Sequence, residues 1–187
     1  MVRSFSSTPI DKSIFDSCVD LASRAPSAGK TQGWHLLVLE DQDTHRYWDI
    51  TLPLEKRSHF SFPHLLDAPL VALVLTDHTA YLERYSEPDK ARTSLSDVDS
   101  WVAPYWTIDA SFATMTLLLA LEDCGIGSLF FAHTEERRLK EEFGIPSHIT
   151  VLGTLAIGYE RDDDAQKGRS ASRKRKEPGL IIHRGQW

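Results

Sequence analysis

The sequence predicts an α+β fold with a mixed sheet flanked by helices. Short apolar runs at 34–39, 68–76, 128–132 and 151–159 have the length and composition of buried strands. Helical patterns lie between several of them. A late apolar run at 179–183 follows a polar arm, and a chain that returns to the sheet this late makes a mixed sheet.

Each element has its own local reason. Thr8-Pro9-Ile10-Asp11 reads as a helix start, with Thr8 as cap, Pro9 in the first turn and Asp11 near the positive end. Ile14, Cys18, Leu21, Ala22 and Ala25 then recur at helical spacing, and Pro26 stops the helix. Pro26-Ser27-Ala28-Gly29-Lys30 is a loop, and the run from Trp34 to Leu39 a buried strand. Residues 42–57 carry a weak helical pattern, and residues 68–76 form the clearest core strand.

Residues 83–100, with Pro88, four serines and several acids, read as a long polar excursion able to serve as a lid. Residues 108–124 are the most apolar helix, with Phe112, Met115, Leu118, Leu119 and Ala120 predicting burial nearly all round. Gly125-Ile126-Gly127 ends it, and Thr134 is expected to cap a charged helix running to Gly144-Ile145-Pro146. Six of the ten residues from Lys167 to Lys176 are basic, and 179–183 is expected to be a last strand. The reading is one domain over 1–187, with 160–187 as a basic C-terminal arm.

Composition excludes several classes of function. With 187 residues, 41% hydrophobic and 10% aromatic content, the chain can build a core. Its net charge of -6 argues against a general nucleic-acid binder. Apolar stretches of about ten residues fall far short of the roughly twenty a spanning helix needs. The opening residues do not read as a secretory leader, so a cytoplasmic location without membrane or nucleic-acid partners is expected. Cys18 and Cys124 form no C-x-x-C pair, and the histidines show no metal-ligand spacing, so no disulfide framework and no metal site are predicted.

The chemistry-bearing motifs are Arg3-Ser4-Phe5, Pro9 and the first helix, then Ala25-Pro26-Ser27-Ala28-Gly29-Lys30-Thr31-Gln32-Gly33-Trp34. Tyr105-Trp106 to Asp109, Gly125-Ile126-Gly127, the strand from Gly153 to Gly158 and the tail to His183 and Trp187 follow in order. Together they resemble the nitroreductase-like flavoprotein family, whose N-terminal part reads Arg-x-Phe, Pro, helix, Ala-Pro-Ser-x-x-Asn-x-Gln-Pro-Trp, strand. The resemblance covers almost the whole chain. It implies a mainly antiparallel mixed sheet, a C-terminal arm exchanged in a homodimer, and FMN held between subunits. NAD(P)H would be the electron donor and a small molecule, a nitroaromatic, a quinone or a related compound, the acceptor.

The resemblance also assigns residues. Arg173 and Arg175 fall where the family's tail cations meet the FMN phosphate, with Lys174 and Lys176 as substitutes. Read alone, the run is first a solvated tail, as charge runs usually are, and a localisation or nucleic-acid patch is a third reading. Arg3 matches the residue facing the N1–C2=O edge of the flavin, where negative charge gathers on reduction. Pro26, Ser27 and Ala28 match a loop that presents backbone to the ring, although the string alone reads as a helix-to-strand turn. Gln32 serves equally as cofactor ligand or loop brace. The N5 contact falls at Ala132 and His133, with His133 acting chiefly through its backbone. Tyr105, Trp106 and Asp109 border the substrate space, whereas their sequence-only readings are core and helix-dipole residues. Ser61 and His64 match weaker ribityl or pyrimidine contacts.

The sequence departs from the family at Lys30, where Asn is usual, at Gly33, where Pro is usual, and at Met1-Val2, where a helix ending in arginine usually precedes Arg3. Either the start lies further upstream or that helix and its arginine are missing; in the second case the lost charged partner costs about 1.5–3 kcal/mol and a weaker phosphate grip is expected. An FMN-storing protein without turnover, flavin cleavage and dehalogenation are the alternatives on the same scaffold.

Overall fold

Four strands, β1 (Trp34–Glu40), β2 (Leu70–Asp77), β3 (Gly127–Phe131) and β4 (Ile149–Gly158), form one sheet in the order β1-β2-β4-β3. Every pair in it is antiparallel. The structure, a computed structural model, describes residues 1–168 and 170–187. Arg169, within the basic run of the tail, lies outside the described residues.

The helices are α1 (Lys12–Ala22), α2 (Gln42–Thr51), α3 (Leu54–Arg57), α4 (His78–Tyr85), α5 (Tyr105–Asp123) and α6 (Glu136–Phe143). Strand β2 is central and apolar on both faces, which explains its unbroken hydrophobic run. Leu70, Ala72 and Val74 pack with Phe15, Cys18 and Ala22 of α1 and with Leu117 and Leu121 of α5. Val71, Leu73 and Leu75 belong to a second core with Tyr47 and Trp48 of α2 and Leu139 of α6. Side chains two apart along a strand share a face, so one strand supplies both cores.

The α+β class stands, and several local expectations need correction. Asp11, not Thr8, caps α1: its Oδ1 accepts the Ser13 N–H at 2.7 Å, while the Thr8 N–H bonds the Ser6 hydroxyl. The weak helix at 42–57 is two helices broken at Leu52-Pro53, because proline disfavours helical backbone in the residue before it. Glu135, in the left-handed region, and not Thr134 immediately precedes α6, and the Thr134 hydroxyl donates to the Thr51 carbonyl.

The excursion at 83–100 begins inside α4, which Asp77 caps through the Thr79 and Ala80 N–H groups. It continues through two 3-10 turns, Pro88–Lys90 and Val98–Ser100. Helix α5 is not buried nearly all round: Phe112, Met115 and Leu119 are 48%, 51% and 59% exposed. A single chain covers only the face of α5 that meets α1 and the sheet. Residues 179–183 are not a strand: Gly179 and Leu180 lie in the 3-10 turn Pro178–Leu180 and 181–183 continue as exposed chain, so among the described residues no late strand makes the sheet mixed. No helix of the described residues is long and apolar enough to cross a membrane.

The N-terminal segment docks at one end of the sheet. The Val2 N–H donates to Ser128 O, the Ser6 N–H to Tyr159 O, and Phe5 bridges Glu160. The loop after α1 enters β1 at Trp34, opposite Thr76, at the other end.

Candidate functional site

The loop from Pro26 to Gly33 has a folded conformation of its own. Residues Ala28–Lys30 form a 3-10 turn, and the Ser27 hydroxyl accepts the Gln32 N–H at 2.9 Å. Gly29, Lys30 and Gln32 all have positive φ, at 61°, 56° and 58°. The left-handed region favours Gly and Asn, so Lys30 carries strain that the family's Asn would relieve.

Three side chains from other elements fix this loop. The buried carboxylate of Asp109, in the first turns of α5 and 7% exposed, accepts the Ala28 N–H at 2.7 Å. The same oxygen accepts the Tyr81 hydroxyl of α4 at 2.9 Å. Burial and then Asp109 outweigh the other contacts and push the Tyr81 phenol well above its ordinary range, so it remains a donor. Arg84 donates from Nε to the Gly29 carbonyl at 2.9 Å while its two terminal nitrogens grip Asp89 at 2.8 Å each. That fork raises the guanidinium pKa and holds Asp89 below the usual carboxylate range.

Gly33 is short of space rather than in need of freedom. A Cβ there would lie 2.7 Å from the Tyr81 ring and 2.9 Å from the Asp77 carbonyl oxygen. The departure from the family's proline coincides with this close approach.

Beside the loop stand aromatic rings from α4, from the segment before α5 and from the first turn of α5. The Trp101 ring centroid lies 4.7 Å from Tyr85, 5.6 Å from Tyr105 and 6.1 Å from Trp106, and its indole N–H donates to Leu95 O. The structure therefore brings Pro26, Ser27, Ala28, Gln32, Tyr105, Trp106 and Asp109 to one region. Sequence reasoning missed Tyr81 and Arg84. A capping Asp before Thr79-Ala80, with aromatic residues at 81 and 85, was the available signal for the helix that carries them.

The remaining predicted residues lie elsewhere. Arg3 sits where the N-terminal segment meets the start of the tail. Its guanidinium stands 5.8 Å from the Phe62 ring centroid, and a Cβ on Gly168 would fall 2.6 Å from its central carbon. Among the described residues it forms no ion pair; its one hydrogen bond goes to the Met1 carbonyl at 3.3 Å. Ser61 is exposed near this end, and His64 there bonds Asp67 at 2.7 Å. Arg173 and Arg175 are exposed, and neither forms an ion pair among the described residues.

Ala132 and His133 follow β3, with Ala132 exposed and the His133 Nε2 3.5 Å from Glu136. Lys140 first, and His133 after it, hold Glu136 below the usual carboxylate range. Arg3 and the 26–33 loop thus occupy opposite ends of the sheet. The eight residues of β2 put about 23 Å between those ends at about 3.3 Å per residue.

The sequence model of the Nitroreductase family matches residues 1–159. A protein of Archaeoglobus fulgidus named for NADH dehydrogenase and NAD(P)H nitroreductase is 30% identical over 167 residues, which span 87% of this chain and 81% of that protein. An iodotyrosine deiodinase of Thermotoga neapolitana is 25% identical over 82% of this chain and 79% of its own. The crystal structure of a nitroreductase family protein from Streptococcus pneumoniae aligns with a TM-score of 0.73 at 18% identity, covering 97% of this chain and 94% of that one. An oxidoreductase described as containing FMN aligns with a TM-score of 0.66 at 18% identity, over 86% of this chain and 73% of its own.

Proposed function

Because the chain belongs to the nitroreductase family, we propose that this oxidoreductase uses FMN, held between two copies of the chain, to carry electrons from NAD(P)H to a small oxidised acceptor. The observation that carries the reading is the separation of the two half-sites. Arg3 and the loop 26–33 lie at opposite sheet ends, so one chain cannot bring both to a single flavin, whereas a two-fold partner can.

The donor set fits the cofactor. Arg3 has no carboxylate to neutralise it among the described residues, and Arg173 and Arg175 are exposed cations on the adjoining arm. Guanidinium groups bind phosphate in forked geometry, so Arg173 and Arg175 are assigned to the phosphate. Arg3 is assigned to the edge of the ring where negative charge gathers on reduction. The loop at Pro26, Ser27, Ala28 and Gln32 is held by Asp109 and Arg84 so that its backbone can meet a flat ring without collapsing. Ala132 and His133 contribute through the main chain beyond β3.

FMN, when bound, supplies the two-electron chemistry. The chain's part is to bind, orient and exclude water. Tyr105 and Trp106 wall the space in which donor and acceptor take turns, so ping-pong kinetics are expected. The excursion at 83–100, fastened by Arg84 to the loop, acts as the lid. Nitroaromatics and quinones are flat enough to fit between aromatic walls.

The test is turnover. Protein loaded with FMN and desalted should oxidise NADH or NADPH with a nitroaromatic or quinone acceptor. Arg3→Ala should lower flavin affinity roughly ten- to a hundredfold, as expected for one charged hydrogen bond. Retained flavin with no NAD(P)H oxidation across acceptors would reject the reading. The likeness to the Thermotoga neapolitana deiodinase favours one second reading, reductive dehalogenation; halide release from a halogenated phenol would identify it.

A further inference from the structure

Cys18 and Cys124 are the only cysteines of the chain, and their sulfurs lie 3.9 Å apart despite a separation of 106 residues. Cys18 projects from α1 into the core and is 3% exposed, whereas Cys124 is exposed at the C-terminal end of α5. The next residue, Gly125, has a φ of +72°, and a Cβ built there meets nothing within 4 Å, so no other part of the chain among the described residues packs against this side of the helix end. A disulfide needs its sulfurs at about 2.0 Å, so the pair must close by about 2 Å, within reach of side-chain rotation plus a small shift of that end.

We propose that Cys18 and Cys124 are a redox modification site that takes a peroxide as oxidant and closes reversibly to an intrachain disulfide, locking α1 to the end of α5. Exposure makes Cys124 the residue that peroxide reaches. The Cys124 thiolate attacks one peroxide oxygen, the O–O bond breaks, and the departing hydroxide takes up a proton to leave as water. Cys124 is then a sulfenic acid. The Cys18 sulfur attacks that sulfur, the S–S bond forms, the S–O bond breaks, and the Cys18 proton leaves with the hydroxyl as a second water. Two electrons have passed from the thiol pair to the peroxide.

The roles are unequal for a physical reason. Burial first, then the adjacent Cys124 and Asp123, push the Cys18 thiol up to about 11. Peroxide therefore does not oxidise it first, and its place 3.9 Å from Cys124 is what makes it the partner for the sulfenic acid formed there. The site is independent of the flavin reaction. Its consequence is mechanical, since the cross-link closes a loop of more than a hundred residues in the unfolded chain and raises the melting temperature.

The experiment treats the full chain with hydrogen peroxide at a small molar excess, then with dithiothreitol, and measures intact mass, free thiols and Tm at each stage. The expected product is a chain not covalently joined to another and lighter by two hydrogens, with no free thiol and a Tm raised on the order of 10 °C, all reversed by the reductant. Cys124→Ser and Cys18→Ser should each abolish the mass loss and the Tm gain. Cys124→Ser alters an exposed position, so it keeps the test intact if the core variant fails to fold. Covalent dimers through Cys124, over-oxidation of Cys124 with Cys18 still free, or a cross-linked chain that melts no higher than the reduced one would overturn the proposal.

Discussion

Asp109 carries more of the site than its position at the head of a helix suggests. One carboxylate oxygen receives both the Ala28 N–H and the Tyr81 hydroxyl. Asp109→Ala leaves two donors unpaired in a part-buried setting and should cost about 3 kcal/mol in urea unfolding, whereas Tyr81→Phe, which removes one donor and leaves the other bond intact, should cost about 1 kcal/mol. Equal losses for the two variants would mean that the shared oxygen is not what holds the loop. The sequence made Asp109 legible only as a helix-dipole residue or, through the resemblance, as a pocket border. Its real partners are 28 and 81 residues away in sequence, and no local pattern encodes a meeting that depends on how α4, α5 and the loop pack. Lys30 and Gly33 stood out as departures from the family pattern. The structure supplies their context, a positive φ at one and the Tyr81 ring against the other.

At the scale of elements, the strands were the most legible part because periodicity and β-branched or aliphatic runs report burial directly. Strand β2 shows this well, with alternate residues feeding two cores. Helix α4 was missed because it is short and polar, and its main signal is a capping aspartate rather than a stripe. Burial acts to raise the pKa of Asp77, but hydrogen bonds from Thr79 and Ala80 more than offset it and hold the carboxyl below its ordinary value. A group depressed in this way stabilises the fold fully above its unfolded pKa, and the contribution is lost as pH falls through the lower folded value. Asp77→Ala should therefore destabilise by about 1 kcal/mol at neutral pH. The gap between variant and wild type should shrink below about pH 4. Denaturant unfolding at pH 7 and pH 3 checks both statements, and a gap that widens in acid would contradict them. The apolar character of α5 was legible too. What periodicity cannot tell is which apolar face is covered by the same chain and which is left to something else.

For the whole molecule, two observations converge. Phe112, Met115 and Leu119 leave an apolar face of α5 uncovered, beside a cavity of about 590 Å³ lined by Met115, Leu118, Leu119, Phe130 and Leu152. Contiguous apolar surface of this kind marks an interaction site. The exposed tail adds Leu180, Ile181 and Ile182. Independently, the cation near the N-terminus and the braced loop sit at opposite ends of the sheet. The second copy proposed above would cover the apolar face and bring the two ends together, accounting for both. The most direct test is size-exclusion chromatography of FMN-loaded protein, with light scattering and visible absorbance recorded together. The proposed dimer predicts a flavin spectrum that coelutes with a particle of twice the chain mass, at one flavin per chain, and bleaches on addition of NADH or NADPH without oxygen. Flavin retained on a monomer, or a dimer that releases all its flavin on the column, would contradict a cofactor site shared between two chains.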